Sequence, residues 1–457
     1  MNEKKYLKWY NKVGYGSGDI AGNVVYAFLS SFVMIYLTDT VGLSSGIVGT
    51  LMMLSKLFDG VTDIFFGSMI DKTHSKMGKA RPWMLWAYFG CAAMIIAIFA
   101  IPVEMGDFAK YAWFFIAYTA LNAVFYTANN IAYSALTSLI TKNGSERVQM
   151  GSIRFMFAFG TSLLIQTITV DAVRIMGGGA EGWRTVAIIY AIIGLIVNTI
   201  STLLVKELPE EIFSEADSER EMQKTEKYSL KEGVKLLIQN KYYLIICSIY
   251  ILTQIFTATL NMGVFFMTYI LGDASLLGAF SVAINIPLII GLLFTPIIVK
   301  KLGGMYKINF IGYALATVAR ALVLIFGYMG NLPLMLLFSG IASIGMSPLQ
   351  GDLNALIAAC SEYTFLKTRK RIDGTMFSCT SLGVKIGGGI GTAIAGWLLE
   401  AGGYIANASV QPESCINMLY FMYLWIPMII NLLVTILLSR LKVEQANAEM
   451  KNNILYN

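Results

Sequence analysis

The sequence predicts an all-α polytopic membrane protein, with about twelve transmembrane helices in two six-helix bundles. Three observations carry that prediction. Hydrophobic residues make up 56% of the chain and charged residues only 14%, and the mean hydropathy is +0.64. A soluble globular chain carries roughly 25% charged residues. The apolar residues are bunched into runs of about 20, the length that crosses a bilayer core of roughly 30 Å. The runs are continuous rather than alternating, which excludes a transmembrane β-barrel.

Taken in order, the apolar runs place the first six spans at 16–38, 45–70, 82–103, 110–139, 149–176 and 184–205. The second six fall at 242–271, 275–299, 308–328, 333–358, 372–401 and 417–439. Basic residues fix the orientation. Lys4, Lys5, Lys8 and Lys12 precede span one, Lys72, Lys76, Lys79 and Arg81 follow span two, and Lys367, Arg369, Lys370 and Arg371 follow span ten. Loops on the other side offer Lys110, Arg174 and Arg184. The positive-inside pattern then puts both termini in the cytoplasm, in a cell (inner or plasma) membrane. It also accounts for the net charge of +6 without invoking nucleic acid as a partner.

A charged stretch between spans six and seven divides the chain. The expected organisation is a six-helix bundle over 1–206, a cytoplasmic linker over 207–241, a second six-helix bundle over 242–440 and a cytoplasmic tail over 441–457. The linker's mixed charge fits a tether with an amphipathic helix near Leu230–Ile238. Both halves carry a short basic, glycine-containing loop after their second span, DKTHSKMGKAR and KKLGGMYK, an echo expected of an internal repeat. The N-terminus lacks the short apolar core and cleavage site of a signal peptide. The five cysteines show no metal-ligand or paired spacing and read as structural thiols. His74, the sole histidine, sits in a basic loop and reads as a solvated surface residue, and GGGAEG at 177–182 reads as a turn.

Few ionisable residues remain inside the spans: Asp19, Lys56, Asp59, Asp63, Arg154, Arg320, Asp352, Asp373 and Lys385. Each costs about 2.5–3.5 kcal/mol or more at mid-bilayer unless paired or facing a polar cavity. Asp59 and Asp63 are the sharpest pair, four residues apart and so one helical turn apart on one face. Two dehydrated carboxylates need a proton or a cation between them. One reading is a structural network with Lys56. The other is a site for a coupling cation, Na⁺, H⁺ or Li⁺, with Asp59 and Asp63 as the metal ligands if sodium couples.

Span four adds a polar stripe of Asn122, Tyr126, Asn129, Asn130, Tyr133 and Ser134, with Thr127 beside it, and span one echoes it with Asp19, Asn23 and Tyr26. Hydroxyl partners together with flat apolar faces are what a sugar needs. Interhelical hydrogen bonding is the plainer account of any single asparagine. In span eleven, Lys385 follows Ser381 by one turn in a glycine-rich stretch and requires an acidic or ligand partner. Arg154 stands early in span five, where it either serves the site or snorkels to the interface. No nucleophile triad, metal-ligand spacing or phosphate-cradling loop is present, so neither an enzyme nor a cofactor is expected.

The stretches YGSGDIAGNVVYAF, YLTDTVGL, LFDGVTDIFFGSMIDKTHSKMGKARPW, IRFMFAFG and KRIDGTMFSCTSLGVK resemble the glycoside–pentoside–hexuronide:cation symporter family, of the major facilitator fold. The resemblance runs through nearly the whole chain. It implies cation binding by Asp59, Thr62, Asp63 and Thr127, and substrate contacts from Arg154 and Lys385. Where other members place sugar-binding aspartates, this chain has Asn23 and Asn130. A stacking aromatic of span four is replaced by Ser134, and one of span ten by Gln350. The substrate set expected is therefore Asn23, Tyr26, Asn130, Ser134, Arg154, Gln350, Ser381 and Lys385. The function expected is cation-coupled symport of a sugar or glycoside across the lipid bilayer by alternating access. Loss of two carboxylates near Arg154 and Lys385 points to a hexuronide or glucuronide among such substrates. The alternative on the same fold is a carrier of amphipathic lipids such as lysolipids.

Overall fold

The computed structural model describes residues 5–141, 143–209, 230–368 and 373–455. Every apolar run is a helix. The first half gives Trp9–Thr40, Ser45–Asp71, Arg81–Ile98, 107–139, Gly144–Ile175 and Gly179–Leu203. The second gives Lys241–Tyr269, Leu276–Leu302, Met305–Tyr328, Leu332–Thr368, Asp373–Ala401 and 413–440. Among the described residues, nine helices are long and apolar enough to cross a membrane by length and composition. The rest of the twelve are spans two, four and eleven, which carry the polar residues singled out above. Most helices run a turn or two past their apolar core, because polar ends that reach water still complete the backbone hydrogen bonds. Span ten gains ten residues, ending at Thr368 rather than 358, and it contains Pro348. Most of the expected linker lies outside the described residues; its amphipathic helix is Leu230–Gln239.

The chain forms two compact units. The first comprises Met1–Arg220, Asn261–Gly278 and Thr392–Ile416. In its interior, span one packs on spans five and six, and span three on spans four and six. Aromatic rings fill this core: Phe28 stacks on Phe99 at 4.2 Å between centroids, and Trp183 stacks on Phe99 at 5.9 Å. Polar side chains join the helices where lipid offers no hydrophobic drive. Asn129 donates to the carbonyl of Met84 at 2.6 Å and to Asn198 at 3.0 Å, and Asn198 also donates to Met84 at 2.9 Å. Asn129 is thus interhelical, the plainer of its two readings.

The segments 261–278 and 392–416 join this unit at the end of span one remote from the N-terminus. Asp39 accepts hydrogen bonds there from Thr38 at 2.9 Å, from Tyr269 at 2.8 Å and from the Tyr404 hydroxyl. Nearby, Glu400 accepts from the Ser44 hydroxyl at 2.7 Å, the Ser45 hydroxyl at 3.2 Å and the Gly46 amide at 3.2 Å. It thereby serves the start of span two, whose first amides have no partner within the helix.

The second unit comprises Glu221–Leu260, Ala279–Gly391 and Asn417–Asn457. Span nine packs on spans ten and twelve around Tyr243, Tyr313, Met346, Ile430 and Val434. Arg320, only 3% exposed, lies over the ring of Phe256 at 5.2 Å, a cation–π contact that offsets part of the cost of burying its charge.

A carboxylate caps a helix in each unit. In the first, Glu207 accepts from the amides of Lys79 at 2.7 Å, Ala80 at 2.9 Å and Arg81 at 3.0 Å, at the start of span three. In the second, Glu444 accepts from the amide of Tyr306 at 3.0 Å, at the start of span nine. Each carboxylate approaches over a glycine in the left-handed region, Gly78 at φ 109° and Gly304 at φ 150°. Any Cβ at Gly78 would collide with the carboxylate of Glu207, and one at Gly304 would stand 3.0 Å from Glu444 Oε2.

Candidate functional site

Span two presents Asp59 and Asp63 from successive turns of Ser45–Asp71, and both are half-buried, as is Lys56. The Thr127 hydroxyl donates to Asp59 Oδ1, so two of the expected residues meet across spans two and four. Thr127 Oγ1 also lies 2.8 Å from the carbonyl oxygen of Asn122. A hydroxyl has one proton and so serves one of these acceptors at a time. The neighbouring carbonyl is available because 120–126 winds as a π-helix immediately before Thr127, which shifts the backbone hydrogen bonds by one residue. Thr62 turns its proton inward, donating to the carbonyl of Asp59 at 3.1 Å. The side chains of Asp59, Thr62, Asp63 and Thr127 carry oxygen as their only polar atoms.

A second cluster joins spans one, four and five. Arg154 Nε donates to Asp19 Oδ2 at 2.6 Å, and Tyr133 donates to the same oxygen at 3.0 Å. The guanidinium lies over the Tyr133 ring at 4.1 Å and near the Tyr15 ring at 5.8 Å, and Arg154 Nη1 lies 3.3 Å from the Tyr15 hydroxyl. Tyr15 and Tyr133 are themselves linked: the Tyr15 hydroxyl lies 2.6 Å from the Tyr133 carbonyl, and the Tyr15 carbonyl, 2.8 Å from the Tyr133 hydroxyl, is the alternative acceptor to Asp19 for its one proton. Side chains held on three sides in this way lose little further freedom on binding a ligand. Asp19, Gly151, Arg154, Phe155 and Ala158 line an open cavity of about 230 Å³.

Arg154 is thus paired with Asp19 across spans one and five. The same pair alters the argument for an anionic sugar, which counted Arg154 as unneutralised. Asp19 belongs to the polar stripe of span one but not to the substrate set expected from the sequence. The signal was present in the order Asp19, Asn23, Tyr26, a carboxylate one turn before the expected contact.

The remaining expected residues are placed as follows. Asn23 spends one amide proton on the carbonyl of Asp19 at 2.9 Å in its own helix, and Tyr26 is half exposed. Asn130 and Ser134 are exposed, one turn apart on span four. Gln350, exposed, and Lys385, half-buried, belong to the second unit. The side chain of Ser381 lies outside the described residues.

Residues 14–445 match the family described as MFS/sugar transport protein. The isoprimeverose transporter of Lactiplantibacillus pentosus is 29% identical over 453 residues, covering 98% of this chain and 91% of that protein. A glucuronide carrier protein homolog of Escherichia coli is 27% identical, covering 90% of this chain and 88% of that protein. An inner membrane symporter of Escherichia coli is 26% identical, covering 96% of this chain and 92% of that protein. Among solved structures, a D-xylose–proton symporter superposes with a TM-score of 0.63 at 14% identity, covering 94% of this chain and 97% of that one. A bacterial homolog of the lysosomal transporter Spinster gives 0.65 at 13%, covering 98% of both chains. These structural likenesses show the fold. The chain is a multi-pass membrane transporter, not an enzyme, and it belongs to the MFS/sugar transport family of glycoside–pentoside–hexuronide:cation symporters.

Proposed function

We propose that this protein moves a sugar or glycoside across the cell membrane together with Na⁺ or H⁺. In this reading the substrate sits between two six-helix halves that alternate access, and both termini are cytoplasmic. The observation that carries it is the contact between Asp59 and Thr127, a carboxylate inside a membrane helix held by a hydroxyl of another. Asp59, Asp63, Thr62 and Thr127 would hold the cation. Their all-oxygen set suits a hard ion such as Na⁺, and either carboxylate suits a proton. Cation binding removes the repulsion between Asp59 and Asp63 and raises sugar affinity; by linkage, sugar raises cation affinity by the same factor.

The substrate contacts would come from Asp19 and Arg154 with Asn23, Tyr26, Asn130 and Ser134 in the first half, and from Gln350, Ser381 and Lys385 in the second. The isoprimeverose transporter among the relatives supports a glycoside substrate. A hexuronide is the second reading, supported by the glucuronide carrier homolog and by Lys385.

The test is uptake of labelled glycosides into proteoliposomes under imposed Na⁺ or pH gradients. Accumulation driven by one gradient, and lost in Asp59→Asn or Asp63→Asn, is the expected result. Flux indifferent to both gradients would reduce the carboxylate pair to a structural role.

A further inference from the structure

We propose that Asp19 sets the charge selectivity of the sugar site, making it a site for uncharged glycosides and excluding their uronate counterparts. The inference rests on the carrier reading above. Asp19 cancels the positive charge of Arg154 at 2.6 Å, and both side chains are partly exposed, at 17% and 23%, on the cavity they line. A sugar carboxylate entering there meets a neutral pair whose acidic member repels it. The attraction to Arg154 is then offset at nearly the same distance.

The pair has the hydrogen-bonding pattern of a diol clamp. Both protein donors to Asp19, Arg154 Nε and the Tyr133 hydroxyl, use Oδ2. Asp19 Oδ1 and Arg154 Nη2 have no hydrogen bond among the described residues. An acceptor and a donor thus stand next to each other. One sugar hydroxyl can donate to Oδ1 while its neighbour accepts from Nη2, each bond charge-assisted. Phe155, 50% exposed and on the same cavity wall, supplies a flat apolar surface for the face of a pyranose ring. Tyr133 and Tyr15 hold the guanidinium in place from behind, so the clamp is preorganised.

The experiment compares para-nitrophenyl glucoside with para-nitrophenyl glucuronide, and the matching xyloside and galactoside/galacturonide pairs, by equilibrium binding to the purified protein. The wild type is expected to favour the uncharged member of the pair it binds by about tenfold or more, the effect of one uncompensated charge. Asp19→Asn leaves Arg154 positive and should shift the ratio toward the uronide by a similar factor. Asp19→Glu should keep the wild-type ratio, and Arg154→Gln combined with Asp19→Asn should restore a preference for the uncharged sugar. Thermal melting of each variant separates loss of fold from loss of selectivity, and the wild-type ratio decides the case if Asp19→Asn does not fold. Binding of glycosides with a uronide preference in the wild type, or with a ratio unmoved by a folded Asp19→Asn, would overturn this inference alone. No binding of any glycoside by the wild type would overturn the carrier reading and this inference with it.

Discussion

Glu207 and Glu444 hold equivalent places in the two halves of the chain: each follows the sixth helix of its half, and each accepts amide hydrogen bonds at the start of the third. The carboxylate sits where a helix leaves its first amides unsatisfied and its dipole is positive. The echo between the two glycine-containing loops therefore has a structural reason, because both must bring bare backbone against a carboxylate.

Glu207 serves three amides and Glu444 one, so their removal should differ in effect. Glu207→Gln is expected to destabilise the protein by about 1.5–3 kcal/mol, since hydrogen bonds to a charged group are worth that much. Glu444→Gln should cost less. Gly78→Ala should be worse than either, because it combines a left-handed backbone with a collision. Melting temperatures in one detergent would rank the three.

Thr127→Val removes the hydroxyl that reaches Asp59 while keeping the side chain's shape. Charge-assisted hydrogen bonds are worth about 1.5–3 kcal/mol, so cation affinity should fall by about ten- to a hundredfold. Folding should be little changed. Titration of sugar binding against Na⁺ and against pH would read the loss, and an unaltered ion dependence would remove Thr127 from the cation set.

A third expectation concerns acid. Glu146 is 2% exposed and accepts from the Thr141 hydroxyl at 2.7 Å and from the amides of Tyr6 and Leu7 at 3.2 Å, with Lys12 Nζ at 3.3 Å. Burial alone would raise its pKa, but these donors and the lysine outweigh it and hold the carboxyl below its ordinary 4.5. A depressed folded pKa gives stability that is complete above the unfolded value and is lost as the pH falls through the folded one. The melting temperature should therefore drop on acidification below about pH 4.5. Glu146→Gln should melt lower at neutral pH and show less of that acid limb.

Asp39 ties Tyr269 and Tyr404 to the end of span one, a tie that the proposed alternation of access would release once in each cycle. Asp39→Asn with Tyr404→Phe should favour the state open at that end. A cysteine placed at Thr50, whose hydroxyl now accepts from Trp397 at 2.9 Å, should then react several-fold faster with a membrane-impermeant maleimide. Unchanged labelling would mean that the cluster fastens the fold rather than the cycle.

The spans were legible because a bilayer demands about 20 apolar residues in a row, and that demand leaves a mark at every crossing. The polar ends were less so. Span ten runs ten residues past its apolar core, since water places no such demand on composition. The sites divided in the same way. Asp59 and Asp63 announce themselves by being charged, adjacent on a helix and inside a span. Asp19 carries the same signal, but its role depends on Arg154, 135 positions away. Asp39 depends on Tyr269 and Tyr404, 230 and 365 positions away. Such pairings follow from how helices pack, which no local pattern records.

The π-helical stretch at 120–126 carries a consequence for how this site can change over generations. A π turn holds one residue more than an α turn, so it acts as an insertion absorbed within a helix. Rewinding that stretch as regular α-helix with its residue count unchanged would rotate all that follows by roughly 100°. Thr127 would leave Asp59, and Asn130 and Ser134 would turn to a different neighbour, with no side chain altered. Tyr36–Thr40, which delivers Asp39, is wound in the same way. Reading frame along the helix, as much as residue identity, is thus an inherited variable of this carrier: one residue lost at the π turn leaves the frame beyond it in place, whereas one lost from a regular stretch turns everything after it.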